Sequence, residues 1–249
     1  MGRVRIIPVL LLNNGGLYKT IQFQKPQYIG DPINAVKIFN EKEADELILL
    51  DYRASKEKRP IDFKKIAEIA GEAFMPMAYG GGIHNFEDAQ RVFDAGFEKI
   101  VLNSILFDDL SLIDQIAAVY GAQAVVGSLD VKKNIWGKPQ VLAASGSRKT
   151  RCEPLGWCKK LEENGVGEIM LNSIDQDGTW KGYDIKLIAT LAQAVKIPLI
   201  ACGGAGQFDD FRAAIGAGAS AVAAGSMFVY QKKGMGVLIS FPHEALMRD

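Results

Sequence analysis

The sequence predicts a single (β/α)8 barrel, and three observations support this fold class. Short runs rich in Ile, Val and Leu recur along the 249 residues, as expected of parallel strands that are buried on both faces. Stretches with helical periodicity separate these runs. A motif of the first half returns in the second, which favours a closed barrel over an open doubly wound sheet.

The predicted strands and helices alternate along the whole chain. The eight predicted strands are Arg5 to Leu11, Glu46 to Leu50, Met75 to Tyr79, Lys99 to Leu102, Ala124 to Asp130, Glu168 to Leu171, Pro198 to Ala201 and Ala221 to Ala224. The predicted helices are Pro32 to Glu41, Asp62 to Ala73, Asn85 to Ala95, Leu110 to Tyr120, Gly156 to Asn164, Asp184 to Ala194 and Phe208 to Ala217.

The internal repeat relates residues that lie 122 positions apart, such as Phe86 and Phe208. Gly80-Gly81-Gly82 is matched by Cys202-Gly203-Gly204, and Asn103-Ser104 by Gly225-Ser226. A half-chain of this length holds four β/α units, and two such halves close into eight. We therefore predict one domain built from half-barrels at about residues 1–122 and 123–249.

Composition and charge exclude several classes of function. Hydrophobic residues make up 48% of the chain, and 29 Lys and Arg balance 29 Asp and Glu, so no net field favours nucleic acid or a membrane surface. The apolar run Ile6 to Leu12 is too short to cross a bilayer. The three cysteines, His84 and His243 lack the spacing of metal ligands, so we expect no metal and no cofactor. The odd number of cysteines also predicts a reducing, cytoplasmic setting.

Glycine clusters after the third and seventh predicted strands suggest two phosphate sites. Without side chains, their backbone N–H groups can approach an anion, and polar residues after the fourth and eighth strands would complete each site. The alternative is that the glycines only permit tight turns, but the duplication and the paired serines favour phosphate. The predicted phosphate-binding residues are Gly82, Asn103, Ser104, Gly204, Gly225 and Ser226.

Acidic residues at strand ends are candidates for chemistry. Asp130 ends the fifth strand, where polar side chains of a barrel tend to be catalytic, and it is the candidate general acid or base. The alternative is a carboxylate that only bonds a neighbouring loop. Asp51 ends the second strand, while Asp177 and Gly178 follow the sixth and could equally form a local turn.

Charged residues open four strands at the opposite rim of the barrel. Two basic and two acidic side chains would meet there around the axis. On physical grounds they form either a static plug of ion pairs or a gate for a small neutral molecule, and charge alone favours the plug. These residues are Arg5, Glu46, Lys99 and Glu168.

In combination, these motifs resemble the cyclase subunit of imidazole glycerol phosphate synthase over roughly nine tenths of the chain. The motifs are Arg5-Ile-Ile-Pro, Lys19, Gly30-Asp-Pro, Asp45-Glu-Leu, Tyr79-Gly-Gly-Gly-Ile-His, Ser173-Ile-Asp-Gln-Asp-Gly-Thr and Cys202-Gly-Gly-Ala-Gly. The resemblance implies that a glutaminase subunit docks at the amino-terminal face and that ammonia passes the four charged residues as a gate. It also implies a bisphosphorylated ribulosyl-formimino substrate, for which Lys19, Asp51, Asp177 and Gly178 are candidate contacts. The loop of residues 19–30 is long enough to act as a lid over the substrate.

Two departures from this family stand out. The family uses one aspartate after strand one and another after strand five as acid and base. Asp130 matches the second, but Leu11 occupies the position of the first, and losing one such group costs about 10² to 10⁴ in rate unless Asn13 or a water replaces it. The stretch from Tyr230 to Pro242 replaces a longer final helix, and its Val-Leu-Ile-Ser-Phe-Pro end suggests a strand or a buried extended tail.

With the Leu11-Leu12-Asn-Asn-Gly-Gly stretch, these departures resemble a paralogous branch linked to amide or acetamidino modification of surface-polysaccharide sugars. Three hypotheses remain open. The chain could be an ammonia-using subunit for sugar amidation, an authentic cyclase of histidine biosynthesis, or a non-catalytic adaptor that binds a phosphorylated ligand for the glutaminase.

Overall fold

The computed structural model describes residues 4–241 and confirms the (β/α)8 barrel. His243 lies outside the described residues. The strands are β1 (Arg5–Asn13), β2 (Gly16–Ile21), β3 (Gln24–Gly30), β4 (Leu47–Asp51), β5 (Met77–Gly80), β6 (Lys99–Leu102), β7 (Val125–Lys133), β8 (Pro139–Ala143), β9 (Arg148–Lys149), β10 (Glu168–Ser173), β11 (Leu199–Cys202) and β12 (Ala221–Ala224). The helices are α1 (Pro32–Glu41), α2 (Ala54–Glu57), α3 (Phe63–Ala70), α4 (Phe86–Asp94), α5 (Ser111–Tyr120), α6 (Pro154–Glu163), α7 (Ile185–Ala192), α8 (Phe208–Gly216) and α9 (Ser226–Val229).

Eight of these strands form the barrel wall in the order β1, β4, β5, β6, β7, β10, β11 and β12. All neighbouring pairs in this ring are parallel, and the pairing of β12 with β1 closes it. They correspond to the eight predicted strands, with ends displaced by at most three residues. The division into half-barrels stays a proposal.

Alternation along β1 shows how the wall separates two apolar layers. Ile7, Val9 and Leu11 belong to a small cluster inside the barrel, whereas Leu10 and Leu12 pack outward against the helices, as the period of two in a strand requires. Leu11 therefore points toward the barrel mouth. Within residues 4–241, none of the helices has the length and apolar character needed to cross a membrane.

Two hairpins extend the wall at the carboxyl ends of the strands. Residues 19–30, predicted as a lid loop, form most of the antiparallel hairpin β2–β3, which pairs with β1. Strand β7 continues past Asp130 into an antiparallel ribbon with β8 and β9, which the sequence did not predict. Both hairpins lie at the rim where polar side chains were expected to collect.

The segment after α9 takes the place of a final helix. A single bridge joins Tyr230 to Val237, and the ring of Phe241 packs against those of Phe39 and Phe228. Val237 and Leu238 are about half exposed, so the expectation of a buried extended tail is wrong for these two residues. The aromatic contact nevertheless attaches the tail to α1.

Candidate active site

The predicted site residues line one elongated cleft at the carboxyl ends of the barrel strands. Its first lobe contains Asp51, Gly82, Asn103, Ser104 and Asp130. Its second lobe contains Lys19, Asp177, Gly178, Gly204, Gly225 and Ser226. Leu11, Phe23, Leu50 and Asn172 line both lobes, so the lobes adjoin and a single ligand can reach from one to the other.

The first lobe is built on backbone that only glycine accommodates. Gly81 and Gly82 follow β5 with φ of 107° and 74°, and a Cβ on Gly81 would collide with the carbonyl oxygen of Asp51. Asn103 and Ser104 begin the single 3₁₀ turn after β6. This turn and the glycines bring backbone N–H groups and a hydroxyl to one place, the donor set that a phosphate requires.

The second lobe repeats this arrangement and adds a buried cation. Gly203 and Gly204 have φ of 90° and 115°, and Gly225 and Ser226 follow β12. Lys19 reaches in from β2 and is 5% exposed, and a Cβ on Gly225 would collide with its Nζ. An ammonium at this position can neutralise a bound phosphate through a charge-assisted hydrogen bond.

Asp130 has the strongest electrostatic perturbation among the acidic residues of the cleft. Burial, and to a lesser extent the charge of Asp177, raises its pKa from 3.8 to about 7. Asn103 Nδ2 donates to Asp130 Oδ2 at 3.2 Å, and Asn172 lies beside Asp130 in register on β10. A carboxyl group with a pKa near 7 can both give and accept a proton at neutral pH.

No second acid faces Asp130 from β1. Strands β1 and β7 lie on opposite sides of the eight-stranded ring, and the β1 side presents the apolar side chain of Leu11 to both lobes. The neighbouring polar candidate, Asn13, accepts a hydrogen bond from Arg59 Nη2 at 3.2 Å and is absent from the cleft lining among the described residues. Asn13 therefore does not replace the missing carboxylate.

The oxygens of Asp51 are occupied. Arg59 donates from Nη1 and Nη2 to its two oxygens at 3.2 and 2.9 Å, and the N–H of Ala54 bonds the same carboxylate at 3.1 Å. A substrate contact would have to replace one of these bonds. The role of Arg59 was missed because the sequence gives no sign that it lies beside Asp51.

Asp177 ties the β2–β3 hairpin to the rim. Thr20 Oγ1 donates to its carboxylate at 3.1 Å, and the N–H of Gln22 bonds its carbonyl at 2.9 Å. Burial raises the pKa of Asp177, an effect that nearby Lys19 opposes. The hairpin thus lies closed on residues 175–178, with Phe23 over both lobes, which suits the predicted lid.

Sequence reasoning also missed several lining residues, namely Phe23, Tyr52, Ser145 and Asn172. Among the described residues, the Tyr52 hydroxyl and Asn172 Oδ1 are buried atoms without a hydrogen-bond partner. Such atoms are costly unless a ligand satisfies them. The position of Asn172 at a strand end, like that of Asp130, was the one signal that could have identified it.

The four charged residues at the opposite rim form a closed ring of ion pairs. Arg5 contacts Glu46 at 2.6 Å and Glu168 at 2.9 Å, while Lys99 contacts them at 3.1 and 3.0 Å. Each acid thus pairs with both bases, and Glu46 and Glu168 are 3% and 8% exposed. This geometry closes the barrel axis at its amino-terminal end and is compatible with either a plug or a gate.

Comparison with known proteins identifies relatives of this chain. Residues 5–234 match the family model described as "Histidine biosynthesis protein". A relative from Pseudomonas aeruginosa, provisionally named imidazole glycerol phosphate synthase subunit hisF2, is 51% identical over 247 residues, 97% of each chain. A Vibrio vulnificus relative, provisionally named subunit hisF3, is 44% identical over 97% of this chain and 94% of its own. The imidazole glycerol phosphate synthase subunit HisF of Alkaliphilus metalliredigens is 37% identical over 96% of each chain.

Proposed function

Because this chain belongs to the family of HisF subunits of imidazole glycerol phosphate synthase, we propose that it uses ammonia on a phosphate-bearing substrate other than the family's ribulosyl-formimino compound. The substrate class we propose is a sugar that is amidated during surface-polysaccharide biosynthesis. This chain would be the synthase subunit, and a glutaminase partner would supply the ammonia.

The main support for this proposal is that only part of the cleft differs from the family pattern. Both glycine-rich lobes and Asp130 are present, whereas Leu11 faces them where the family's first aspartate belongs. A group that cannot transfer a proton removes one half of an acid–base pair, while the two lobes that we propose hold phosphate are retained. This combination favours a changed reaction on a related ligand.

The apolar character of the barrel interior between the ring and the cleft supports ammonia as the nitrogen source. Apolar side chains fill the barrel interior between the two, including Ile7, Ile48, Val126 and Met170. Such an environment penalises the ammonium ion far more than neutral ammonia. We propose that Arg5, Glu46, Lys99 and Glu168 act as the gate to this interior.

The glutaminase partner is proposed to dock at the amino-terminal face, where the ring lies. Phe74, shortly before β5 at this face, is 92% exposed, and it borders a hollow formed with Asn40, Glu43 and Pro76. Exposed aromatic side chains beside a hollow are typical anchors of protein interfaces. Phe74 is therefore a candidate contact for the partner.

In the proposed reaction, the Asp130 carboxylate would accept the proton that ammonia loses as its nitrogen bonds the substrate, and would return it to the group that leaves. The neighbours of Asp130 position this carboxylate. The hydrogen bond from Asn103 orients the Asp130 carboxylate, and Asn172 lies beside it on β10. Lys19 and the two glycine-rich lobes would hold the anionic ends of the substrate, and the closed hairpin with Phe23 would exclude water.

Ammonium-dependent cyclisation of the ribulosyl-formimino substrate tests the proposal. We expect the purified chain at high ammonium to be almost inactive, because Leu11 cannot act as an acid or base. Leu11→Asp should raise the rate by about 10² to 10⁴ if the remaining site still accepts this substrate. Leu11→Asn is the matched control, since it has a similar size and polarity to aspartate but cannot transfer a proton in the same way.

A wild-type rate of about 1 to 10³ s⁻¹ would contradict the proposal and identify a cyclase of histidine biosynthesis. Inactivity of both wild type and Leu11→Asp, with the fold intact by circular dichroism, would support a different substrate. Equal activation by Leu11→Asp and Leu11→Asn would show that the acid–base argument is wrong.

A further inference from the structure

A second hollow opens outward from the first lobe, on the side away from the barrel axis. It lies between the α2 turn and the β8–β9 hairpin, and it shares Ser55, Ile83, Ser104 and Ile105 with the first lobe. We call it the outer subsite. A ligand group held at Ser104 could therefore continue into it without leaving the protein surface.

Three of the residues that line the outer subsite are cationic. Lys56, Lys58 and Arg148 contribute positive charge, with His84 beside them. Its one acidic lining residue, Asp108, is paired with Arg148 at 3.0 Å. Within residues 4–241, neither Lys56 nor Lys58 forms an ion pair. Glu57, between them in the sequence, pairs with Arg53 and Arg59, so both lysine ammonium groups can contact an added anion.

The internal repeat shows that these cations are specific to the first lobe. The residues 122 positions after Lys56, Lys58 and His84 are Gly178, Trp180 and Gly206. The corresponding space at the second lobe is closed, because a Cβ on Gly206 would lie 2.8 Å from the Trp180 carbonyl oxygen. The second lobe therefore has no such extension, whereas the first continues into the hollow that contains Lys56, Lys58 and Arg148.

We propose that the outer subsite binds the second phosphate of a diphosphate whose first phosphate occupies the first lobe. Lys56 and Lys58 would contact the added charge, and Arg148 would border it from the hairpin. The proposal rests on the proposed function only in taking the first lobe as a phosphate site. It narrows the substrate class to molecules that contain a diphosphate. The carrier attached to this diphosphate is either a nucleoside or a lipid.

Calorimetric titration with inorganic phosphate and pyrophosphate tests the proposal on the whole chain at constant ionic strength. We expect pyrophosphate to bind about tenfold more tightly, since it adds charge-assisted contacts. The double variant Lys56→Ala/Lys58→Ala should lose this preference but still bind phosphate. The matched control is Lys159→Ala/Lys196→Ala, which removes two other exposed lysines and should leave the preference intact.

Equal affinity of the wild type for both anions would overturn the proposal. An equal loss of the pyrophosphate preference in the two double variants would also overturn it, because this would indicate a general charge effect. Binding of neither anion would overturn both the subsite and the phosphate lobe, whereas failed ammonia chemistry with retained pyrophosphate preference would overturn only the proposed function. Uridine diphosphate against uridine monophosphate, and geranyl diphosphate against geranyl phosphate, distinguish the two carriers. The carrier with the larger gain is the source.

Discussion

Replacing Asp130 with asparagine should stabilise the protein at pH 8 while removing its proton-transfer chemistry. In the unfolded chain this carboxyl ionises near 3.8, whereas burial raises its pKa to about 7 in the folded protein. The stability that the group contributes is therefore full below pH 3.8 and is lost as the pH rises to about 7. Asparagine avoids this loss and can still accept the hydrogen bond from Asn103.

The expected gain at pH 8 is up to about 4 kcal/mol in the free energy of unfolding, at about 1.4 kcal/mol for each pKa unit. Urea unfolding at pH 8 and pH 4.5 measures it, and the gain should be much smaller at the lower pH. Ammonia-dependent turnover of the protein's own substrate should fall by about 10² to 10⁴. A variant with full pathway activity would instead favour the non-catalytic adaptor, and an equal gain at both pH values would refute the ionisation argument.

Neutralising one acid of the ring should cost about 3 to 5 kcal/mol of stability. In Glu46→Gln, Arg5 and Lys99 would share Glu168 alone, although Glu46 is almost fully buried and contacts both bases. A buried ion pair that loses one partner leaves an uncompensated charge in a poorly solvated place. Urea unfolding of the two proteins at pH 7 measures the difference.

The matched control is Glu72→Gln, which breaks the ion pair of Lys37 and Glu72 on the surface. Its two side chains are 52% and 41% exposed, so the expected loss is below about 1 kcal/mol. If Glu46→Gln is no more destabilising than this control, the ring is not a cooperative buried network, and both the plug and the gate lose their physical basis.

Much of the site followed from the sequence because its residues stand at strand ends or in repeated motifs. Ser104 and Ser226, for example, could be placed in the two lobes because each follows a short apolar run and matches the other across the repeat. Asp130 was recognisable as the polar end of a buried strand. These features depend on local pattern, which the chain displays directly.

The remainder depends on contacts between distant segments. Nothing near Phe23 indicates that it covers both lobes, because its position follows from the bonds between Gln22 and residues 175–177. The β8–β9 ribbon brings Ser145 to the carbonyl of Tyr52, a contact across 93 positions. Periodicity cannot predict such contacts, since it describes each element and not its neighbours.

In the proposed function, one substrate lies across the barrel mouth with an anionic group in each lobe. A crystal structure of the protein soaked in phosphate, or in tungstate for its anomalous signal, tests it most directly. We expect one anion at Gly82 and Ser104 and a second at Gly204 and Ser226 beside Lys19. Anions at only one of these positions, or only elsewhere on the surface, would contradict it.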